Sequence, residues 1–148
     1  MQELLAKVVM TVLTCAVLLS CGSTVSQRED IVAVKKVMAQ RKQAIESHDL
    51  ALYQQLLLPA YADHNTDYQT QVENIKSLFT RYHKIDLTYQ LSPVEISGQS
   101  ARVAGTISYK LNELDKPIYI HETTLFRKLN GKWYISGGVS LDKLLEGN

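Results

Sequence analysis

The side chains best suited to acid-base chemistry in this 148-residue chain are Glu122 and Tyr109. Glu122 is the only carboxylate on the predicted apolar face of an antiparallel sheet, where strand pairing is expected to put Tyr109 directly opposite. An apolar, partly closed site disfavours the charged form of a carboxyl group, so we expect burial to raise the pKa of Glu122. Glu122 would then act as a general acid or base that Tyr109 orients. The alternative is that Glu122 reaches solvent, or that a lysine or the tyrosine neutralises it.

The other polar candidates are an aspartate, a tyrosine and the histidines. Asp63 and His64 can form an acid-base pair, but neighbours on an extended segment point to opposite sides. Tyr82 is a candidate pocket residue, whereas His83 at a predicted helix end is better suited to the helix dipole. His48 lies at a helix junction.

Spacing argues against a bound metal. The four histidines are scattered, without the one-turn separation of a typical metal-ligand pair. A serine nucleophile elbow, a CxxC pair and a phosphate-binding loop are also missing from the sequence. We therefore predict neither a metal nor a cofactor.

Three helices are predicted in the first half of the chain. Ser26-Gln27-Arg28-Glu29 is a capping box that indicates a helix start, and the apolar residues after it recur at helical spacing as far as Ser47. Asp49 can cap a shorter second helix that ends before Pro59. A second capping box, Thr70-Gln71-Val72-Glu73, indicates the start of a third helix.

From Lys84 onward the hydrophobic period changes from helical spacing to two, which indicates strands. Strands are predicted near 87–96, 101–111, 118–128 and 132–137. Asn130-Gly131 predicts a tight type I′ hairpin between the last two, and the segment around Asp115-Lys116-Pro117 predicts the preceding turn. Helices followed by antiparallel strands predict an α+β domain in which the sheet buries one face against the helices.

The two turns determine which face each strand residue occupies. The tight hairpin pairs Phe126 with Ile135, and a turn centred on Asp115-Lys116 pairs Ile107 with Thr124. Both registers predict one inner face: Val103, Ile107, Tyr109, Leu111, Ile120, Glu122, Thr124, Phe126, Trp133 and Ile135. The outer face then carries Lys110, His121, Thr123, Arg127 and Tyr134.

Five aromatic or acidic residues are predicted to line a ligand pocket inside this face: Tyr109, Glu122, Phe126, Trp133 and Tyr82. A one-residue slip in the turn around Asp115 would change that set. It would send Glu122 outside and bring His121 in.

The N-terminus carries an uncharged apolar run, Val8 to Leu19, which is shorter than the roughly 20 residues of a spanning helix. It has the character of a secretory signal. Leu18-Leu19-Ser20-Cys21 resembles the lipobox of bacterial lipoproteins, which implies cleavage before Cys21 and lipid attachment to its thiol. The predicted organisation is a signal peptide at 1–20, the lipidated cysteine and a short tether at 21–25, and one domain at 26–148. The alternatives are an uncleaved anchor and an ordinary secretory signal.

Lipidation would place the protein on a membrane of the cell envelope. Gly22 follows the cysteine, where inner-membrane lipoproteins of Gram-negative bacteria often have aspartate, so resemblance favours the outer membrane facing the periplasm. Cys15 would leave with the signal, and the mature domain would contain no disulfide. The formal net charge of +1 shows no nucleic-acid footprint.

Three stretches resemble the NTF2-like (SnoaL-like) superfamily: Glu46-Ser47-His48-Asp49-Leu50, Tyr61-Ala62-Asp63-His64, and the segment from Thr123 to Ile135. The resemblance implies a cone in which N-terminal helices pack on a curved sheet and enclose a pocket. That superfamily includes isomerases, dehydratases and many non-catalytic proteins, so the fold does not determine the function.

Two classes of function are therefore expected. The first is a non-catalytic envelope lipoprotein that binds a small apolar ligand or a protein partner, with a homodimer through the outer sheet face as one form. The second is a lyase or isomerase of the SnoaL and ketosteroid-isomerase type, with Glu122, Tyr109 and Asp63 as candidate catalytic residues.

Overall fold

Helices precede the main sheet along the chain, as predicted. The computed structural model describes the backbone of residues 2–64 and 66–146 and the side chains of 24–64 and 66–146. The elements are α1 (Gln2–Glu46), α2 (Leu50–Leu56), β1 (Ala62–Asp63), β2 (Thr66–Asp67), α3 (Tyr68–Arg81), β3 (Ile85–Leu91), β4 (Glu95–Ser97), β5 (Ser100–Leu111), β6 (Ile118–Leu129), β7 (Lys132–Gly137) and α4 (Asp142–Leu145). This order confirms the α+β class.

The first helix is longer than predicted, because α1 runs without a break through the predicted tether at 21–25. The predicted helix start at Ser26 is therefore wrong. A glycine such as Gly22 costs a helix only about 1 kcal/mol relative to alanine, so hydrogen bonding can continue across it. The side chain of Cys21, on which the lipidation prediction depends, lies outside the described side chains. Among the described residues, no helix is both long enough and apolar enough to span a membrane.

Helices α2 and α3 begin at aspartate caps. Asp49 accepts a hydrogen bond from the Leu52 amide at 2.8 Å and caps α2, as predicted. The cap of α3 is Asp67, whose carboxylate accepts from the Thr70 amide at 2.8 Å. The predicted start at Thr70 is therefore three residues late, because an extended aspartate is a stronger N-cap than a threonine already inside the first turn.

The main sheet has the order β3-β5-β6-β7, all antiparallel, with β4 also paired to β5. The tight hairpin is confirmed, since Phe126 pairs with Ile135 as predicted. The preceding register is wrong by four residues, because Ile107 pairs with Ile120 instead of Thr124. A six-residue connection, residues 112–117, replaces the expected two-residue turn.

A register shift of four residues leaves each residue on its predicted face of the sheet, because side chains along a strand alternate between the two faces with a period of two. Every residue predicted for the inner face is buried, and most of the predicted outer residues are exposed. The predicted pairing across the strands is lost, however. Glu122 lies opposite Gly105, and Tyr109 lies opposite Ile118, so Glu122 and Tyr109 do not face each other.

Candidate functional site

Glu122 meets a buried arginine at the centre of the domain. Arg41, on α1, donates from Nη1 to Oε1 at 2.5 Å and from Nη2 to Oε2 at 3.1 Å. The side chains of Arg41 and Glu122 are 0% and 1% exposed. A bidentate arginine–carboxylate pair of this kind is both strong and geometrically specific. It ties α1 to the middle of β6.

Two further donors complete the coordination of the Glu122 carboxylate. The Thr124 hydroxyl donates to Oε1 at 2.6 Å, and the Ser140 amide donates to Oε2 at 3.2 Å. Together with the two Arg41 contacts, each carboxylate oxygen accepts two hydrogen bonds. A carboxylate has about four lone-pair positions, so Glu122 has none left for a substrate proton.

The charged form of Glu122 is favoured in this setting. Burial raises the pKa of Glu122, but the charge of Arg41 and the hydrogen bonds from Arg41, Thr124 and Ser140 outweigh burial and lower it below the ordinary value. The raised pKa expected from the sequence is therefore wrong. Burial lowers the pKa of Arg41, and the Glu122 charge more than compensates, so that pKa is raised. The pair is ionised at neutral pH.

Buried tyrosines surround this ion pair. Tyr53 accepts a hydrogen bond from the Gln71 amide nitrogen at 3.0 Å. Within the described part of the chain, the hydroxyls of Tyr89 and Tyr109 are buried without a hydrogen-bond partner. Burial raises the pKa of Tyr89 to about 12 and raises the pKa of Tyr109 further. These phenols are poor proton donors at neutral pH.

We expect Tyr109→Phe to raise the free energy of unfolding by about 1 kcal/mol, because it removes a desolvated hydroxyl that no hydrogen bond compensates. Urea denaturation measures the change. Tyr53→Phe is the matched control, and it should cost about 1–3 kcal/mol because it leaves the Gln71 amide unpaired. A clear loss of stability in Tyr109→Phe would show that its hydroxyl has a partner.

Asp63 and His64 do form a pair, contrary to the prediction that they point to opposite sides. His64 has a φ of +48°, which breaks the extended geometry and turns its Nδ1 to within 2.7 Å of Asp63 Oδ1. The other oxygen, Oδ2, accepts from the Gly138 amide at 2.8 Å. The His64 side chain is 94% exposed. This pair lies at the protein surface and leaves the imidazole in solvent.

The predicted ligand-lining residues do not surround a common cavity among the described residues. Tyr109, Glu122 and Phe126 are packed in the interior. Trp133 is also buried, and its indole donates to Asp30 of α1 at 2.9 Å. Tyr82 is buried in the same core and lines a surface cavity of about 640 Å³ that none of the other four lines. The interior is thus filled by the side chains that were expected to surround a ligand.

The remaining histidines have structural contacts. His83 directly follows Tyr82, the C-cap of α3, which agrees with its predicted place at a helix end, and its Nδ1 lies 3.0 Å from the Glu113 carboxylate. His48 lies at the α1–α2 junction, as predicted, within hydrogen-bonding distance of the Tyr82 carbonyl at 2.7 Å. Among the described residues, no group of three or more histidine, cysteine, aspartate or glutamate side chains could hold a metal ion.

Sequence reasoning missed Arg41, although a signal was present. Arg41 follows Met38 by three residues and precedes Ile45 by four, which places it within the apolar stripe of α1. A charged residue at a core position of a helix requires a buried partner. The only inner-face carboxylate, Glu122, was the obvious choice.

The fold is similar to that of several solved structures. Bd1075 from Bdellovibrio bacteriovorus superposes with a TM-score of 0.65 and 16% identity, over 77% of this chain and 41% of that one. An NTF2-like protein of unknown function from Pseudomonas putida KT2440 superposes with a TM-score of 0.62 and 9% identity, over 75% of this chain and 84% of that one. A candidate dehydratase of the NTF2-like family from Streptomyces avermitilis superposes with a TM-score of 0.62 and 14% identity, over 76% of this chain and 94% of that one.

This chain thus spans about two fifths of the length of Bd1075. No family model matches the sequence, and no curated protein is a significant match. At these identities the likeness establishes the fold alone. The predicted NTF2-like architecture, with helices packed on an antiparallel sheet, is confirmed.

Proposed function

We propose that this protein is a non-catalytic, lipid-anchored envelope protein whose NTF2-like domain binds a protein partner, the first candidate being a second copy of itself. The observation that carries the proposal is the saturation of Glu122 by four hydrogen bonds. That carboxylate was the best candidate for chemistry in the sequence. In the folded domain it cross-links α1 to the sheet.

For the alternative, a lyase or isomerase, none of the three predicted catalytic residues is a free proton acceptor in the described structure. A general base must reach the substrate proton within hydrogen-bonding distance. Glu122 is 6% exposed and ion-paired, and Tyr109 is fully buried with a raised pKa. Asp63 is bound to His64 and to the Gly138 amide. The three candidate catalytic residues therefore support the non-catalytic proposal.

The outer sheet face is the surface proposed for self-association. At its centre, Tyr119 is 65% exposed and lies beside the exposed His121 and Thr123, and Leu125 is 42% exposed. On strand β5, Ser108, Thr106 and Ala104 lie opposite Tyr119, His121 and Thr123, so this part of the row carries no acidic, lysine or arginine side chain. Arg102 lies opposite Leu125, at the edge of the patch, and its charge is paired with Glu95. A two-fold interface places the same patch against itself, and an uncharged patch meets no like-charge repulsion there.

Light scattering of the purified protein tests this interface. We expect a dimer in the wild type and a monomer in Thr123→Glu, because the substitution sets like charges opposite each other across the two-fold axis. Thr80→Glu, on the exposed surface of α3, is the control and should remain dimeric. A wild-type monomer at high concentration would contradict self-association.

A second candidate is a small ligand in the cavity beside Tyr82. Its volume of about 640 Å³ lies within the usual range of ligand sites, about 300–1,000 Å³. Its walls combine the apolar Leu114 and Ile118 with the charged Arg81 and Lys143. Native mass spectrometry of protein taken from its own envelope would detect a retained molecule. A protein that carries no bound molecule would contradict the proposal of a ligand site.

The lipid anchor has its own test. We expect the wild-type chain, expressed in a host that processes lipoproteins, to fractionate with membranes and to show the intact mass of a diacylglycerol-modified protein beginning at Cys21. Cys21→Ala should be unmodified and should lose that processing. A Cys21→Ala protein that still remained with membranes would instead indicate an uncleaved N-terminal anchor.

A further inference from the structure

Charge is distributed unevenly along the domain. We define the basic end as the α1 segment 28–36 together with the β4–β5 and β6–β7 hairpins, whose charged residues are Arg28, Glu29, Asp30, Lys35, Lys36, Glu95, Arg102, Arg127, Lys128 and Lys132. This end has seven basic and three acidic side chains, a formal charge of +4. The other charged side chains among residues 24–64 and 66–146 are eight basic and eleven acidic, a formal charge of −3. The near-neutral total conceals a strong asymmetry.

Specific contacts hold the basic end together. Asp30 of α1 accepts from Lys128 Nζ at 2.6 Å and from the Trp133 indole at 2.9 Å, which fixes the helix against the β6–β7 hairpin. The Lys128 amide donates to the Gln99 carbonyl at 2.8 Å, which joins the β4–β5 hairpin to the same end. Glu95 pairs with Arg102 at 2.6 Å. Two of the three acids are thus engaged, while Arg28, Arg127 and Lys132 are exposed.

The basic end is also the end nearest to Cys21. Asp30 follows Cys21 by nine residues on α1, which corresponds to about 14 Å of helix. Exposed apolar side chains lie on this side as well: Val32 is 67% exposed, and Leu129, at the tip of the β6–β7 hairpin, is 46% exposed. Basic residues interspersed with exposed aliphatic ones are typical of surfaces that bind the membrane interface.

We infer that the basic end docks on an anionic lipid surface and orients the domain on the membrane. This inference rests on the proposed lipid anchor at Cys21. Exposed lysines and arginines are attracted to anionic headgroups over a Debye length of about 8 Å at physiological ionic strength. The anchor holds the chain at the bilayer, and the charge asymmetry turns the positive end towards it. The opposite end, with the Tyr82 cavity, faces away from the bilayer.

Trp133 reports this orientation, because it is the only tryptophan in the chain and lies at the basic end. The lipidated mature protein is reconstituted into vesicles that carry a dansyl label on the headgroup. Energy transfer from Trp133 is then compared between phosphatidylethanolamine–phosphatidylglycerol vesicles and phosphatidylcholine vesicles. We expect transfer to be higher on the anionic vesicles and to fall at least about twofold near 1 M salt, where the Debye length is about 3 Å.

Charge reversal at the basic end is the direct test. The triple variant Arg28→Glu, Arg127→Glu and Lys132→Glu leaves the Asp30 contacts intact and should lower transfer on anionic vesicles to the phosphatidylcholine value. Duplex DNA that displaced the protein's basic end from these vesicles at equal phosphate concentration would overturn the inference in favour of a general polyanion site.

The matched control reverses three exposed lysines at the opposite end, by Lys84→Glu, Lys110→Glu and Lys116→Glu. It changes the net charge equally and should leave transfer unchanged. Equal losses in both triple variants would overturn the inference, and so would equal transfer on the two kinds of vesicle. A protein that fails to float with any vesicle would show that the anchor is missing, which is a separate failure.

Discussion

Replacement of Arg41 by methionine is expected to destabilise the domain by about 3–5 kcal/mol, because it leaves the Glu122 carboxylate buried without a counter-ion. Glu122 is 6% exposed, and two of its four hydrogen bonds come from the Arg41 guanidinium. The remaining donors, Thr124 and the Ser140 amide, are uncharged and cannot balance a buried negative charge. Urea denaturation followed by circular dichroism gives the free energy of unfolding.

The double variant Arg41→Met with Glu122→Leu separates the charge effect from a simple packing defect. Replacement of both partners by apolar residues of similar size is often neutral or stabilising, so most of the loss should be recovered. If the double variant were as unstable as Arg41→Met alone, the defect would lie in packing around α1. The role of the ion pair would then be contradicted.

The pH dependence gives an independent readout of the same pair. In the wild type, folding lowers the pKa of Glu122. Its contribution to the free energy of unfolding is therefore fully present above the unfolded pKa of about 4.3 and is lost as the pH falls through the lower pKa of the folded state. In Arg41→Met, burial without the counter-ion raises the folded pKa above the unfolded value. That variant should therefore become more stable on mild acidification. If the free energy of unfolding changed with pH in the same way for the wild type and for Arg41→Met, this account would be contradicted.

The second large effect is expected for Gly138→Ala, which should cost about 3 kcal/mol or more. Gly138 has a φ of +78°, in the left-handed region, and an added Cβ would lie 1.9 Å from the Thr123 carbonyl oxygen and 2.9 Å from its carbonyl carbon. Both contacts are with backbone, which cannot rotate away. The end of β7 would have to move away from β6, and the Gly138 amide would lose its bond to Asp63.

Gly131→Ala is the matched control, since Gly131 has nearly the same φ, +79°, but open space where the Cβ would lie. It should cost only the conformational penalty of about 1–2 kcal/mol. Thermal unfolding of the two variants compares them directly. Similar losses would mean that the left-handed backbone alone sets the cost and that the contact with Thr123 is relieved.

Much of the fold was predictable because its signals are local. The period-two alternation from Lys84 onward located the strands, and Asn130-Gly131 correctly set the β6–β7 register. The inner face was also correct, although the β5–β6 register was wrong by four residues. A register shift of an even number of residues leaves each side chain on the same face of the sheet. The burial of Glu122 could therefore be predicted without knowledge of the residue opposite it.

The environment of Glu122 could not be predicted in the same way. Its partner Arg41 is 81 residues distant in the sequence. The two are linked only by a non-local argument, that a charged residue in the apolar stripe of α1 requires a buried counter-charge. The Asp63–His64 pair depends on a positive φ at His64. Backbone geometry of this kind follows from how the β1–β2 segment packs on β7, and the residue types at 63 and 64 do not specify it.

By itself the sequence determined that helices precede the main sheet, which face of that sheet is buried and where the lipobox-like segment lies before Cys21, because each depends on residues close together in the chain. Only the tertiary structure decided what the buried carboxylate does. A carboxyl group in an apolar site can be a proton donor or half of an ion pair, and the nearest charge determines which. The packing of α1 against β6 brings that charge to Glu122, and this contact makes the strongest candidate for catalysis a structural cross-link.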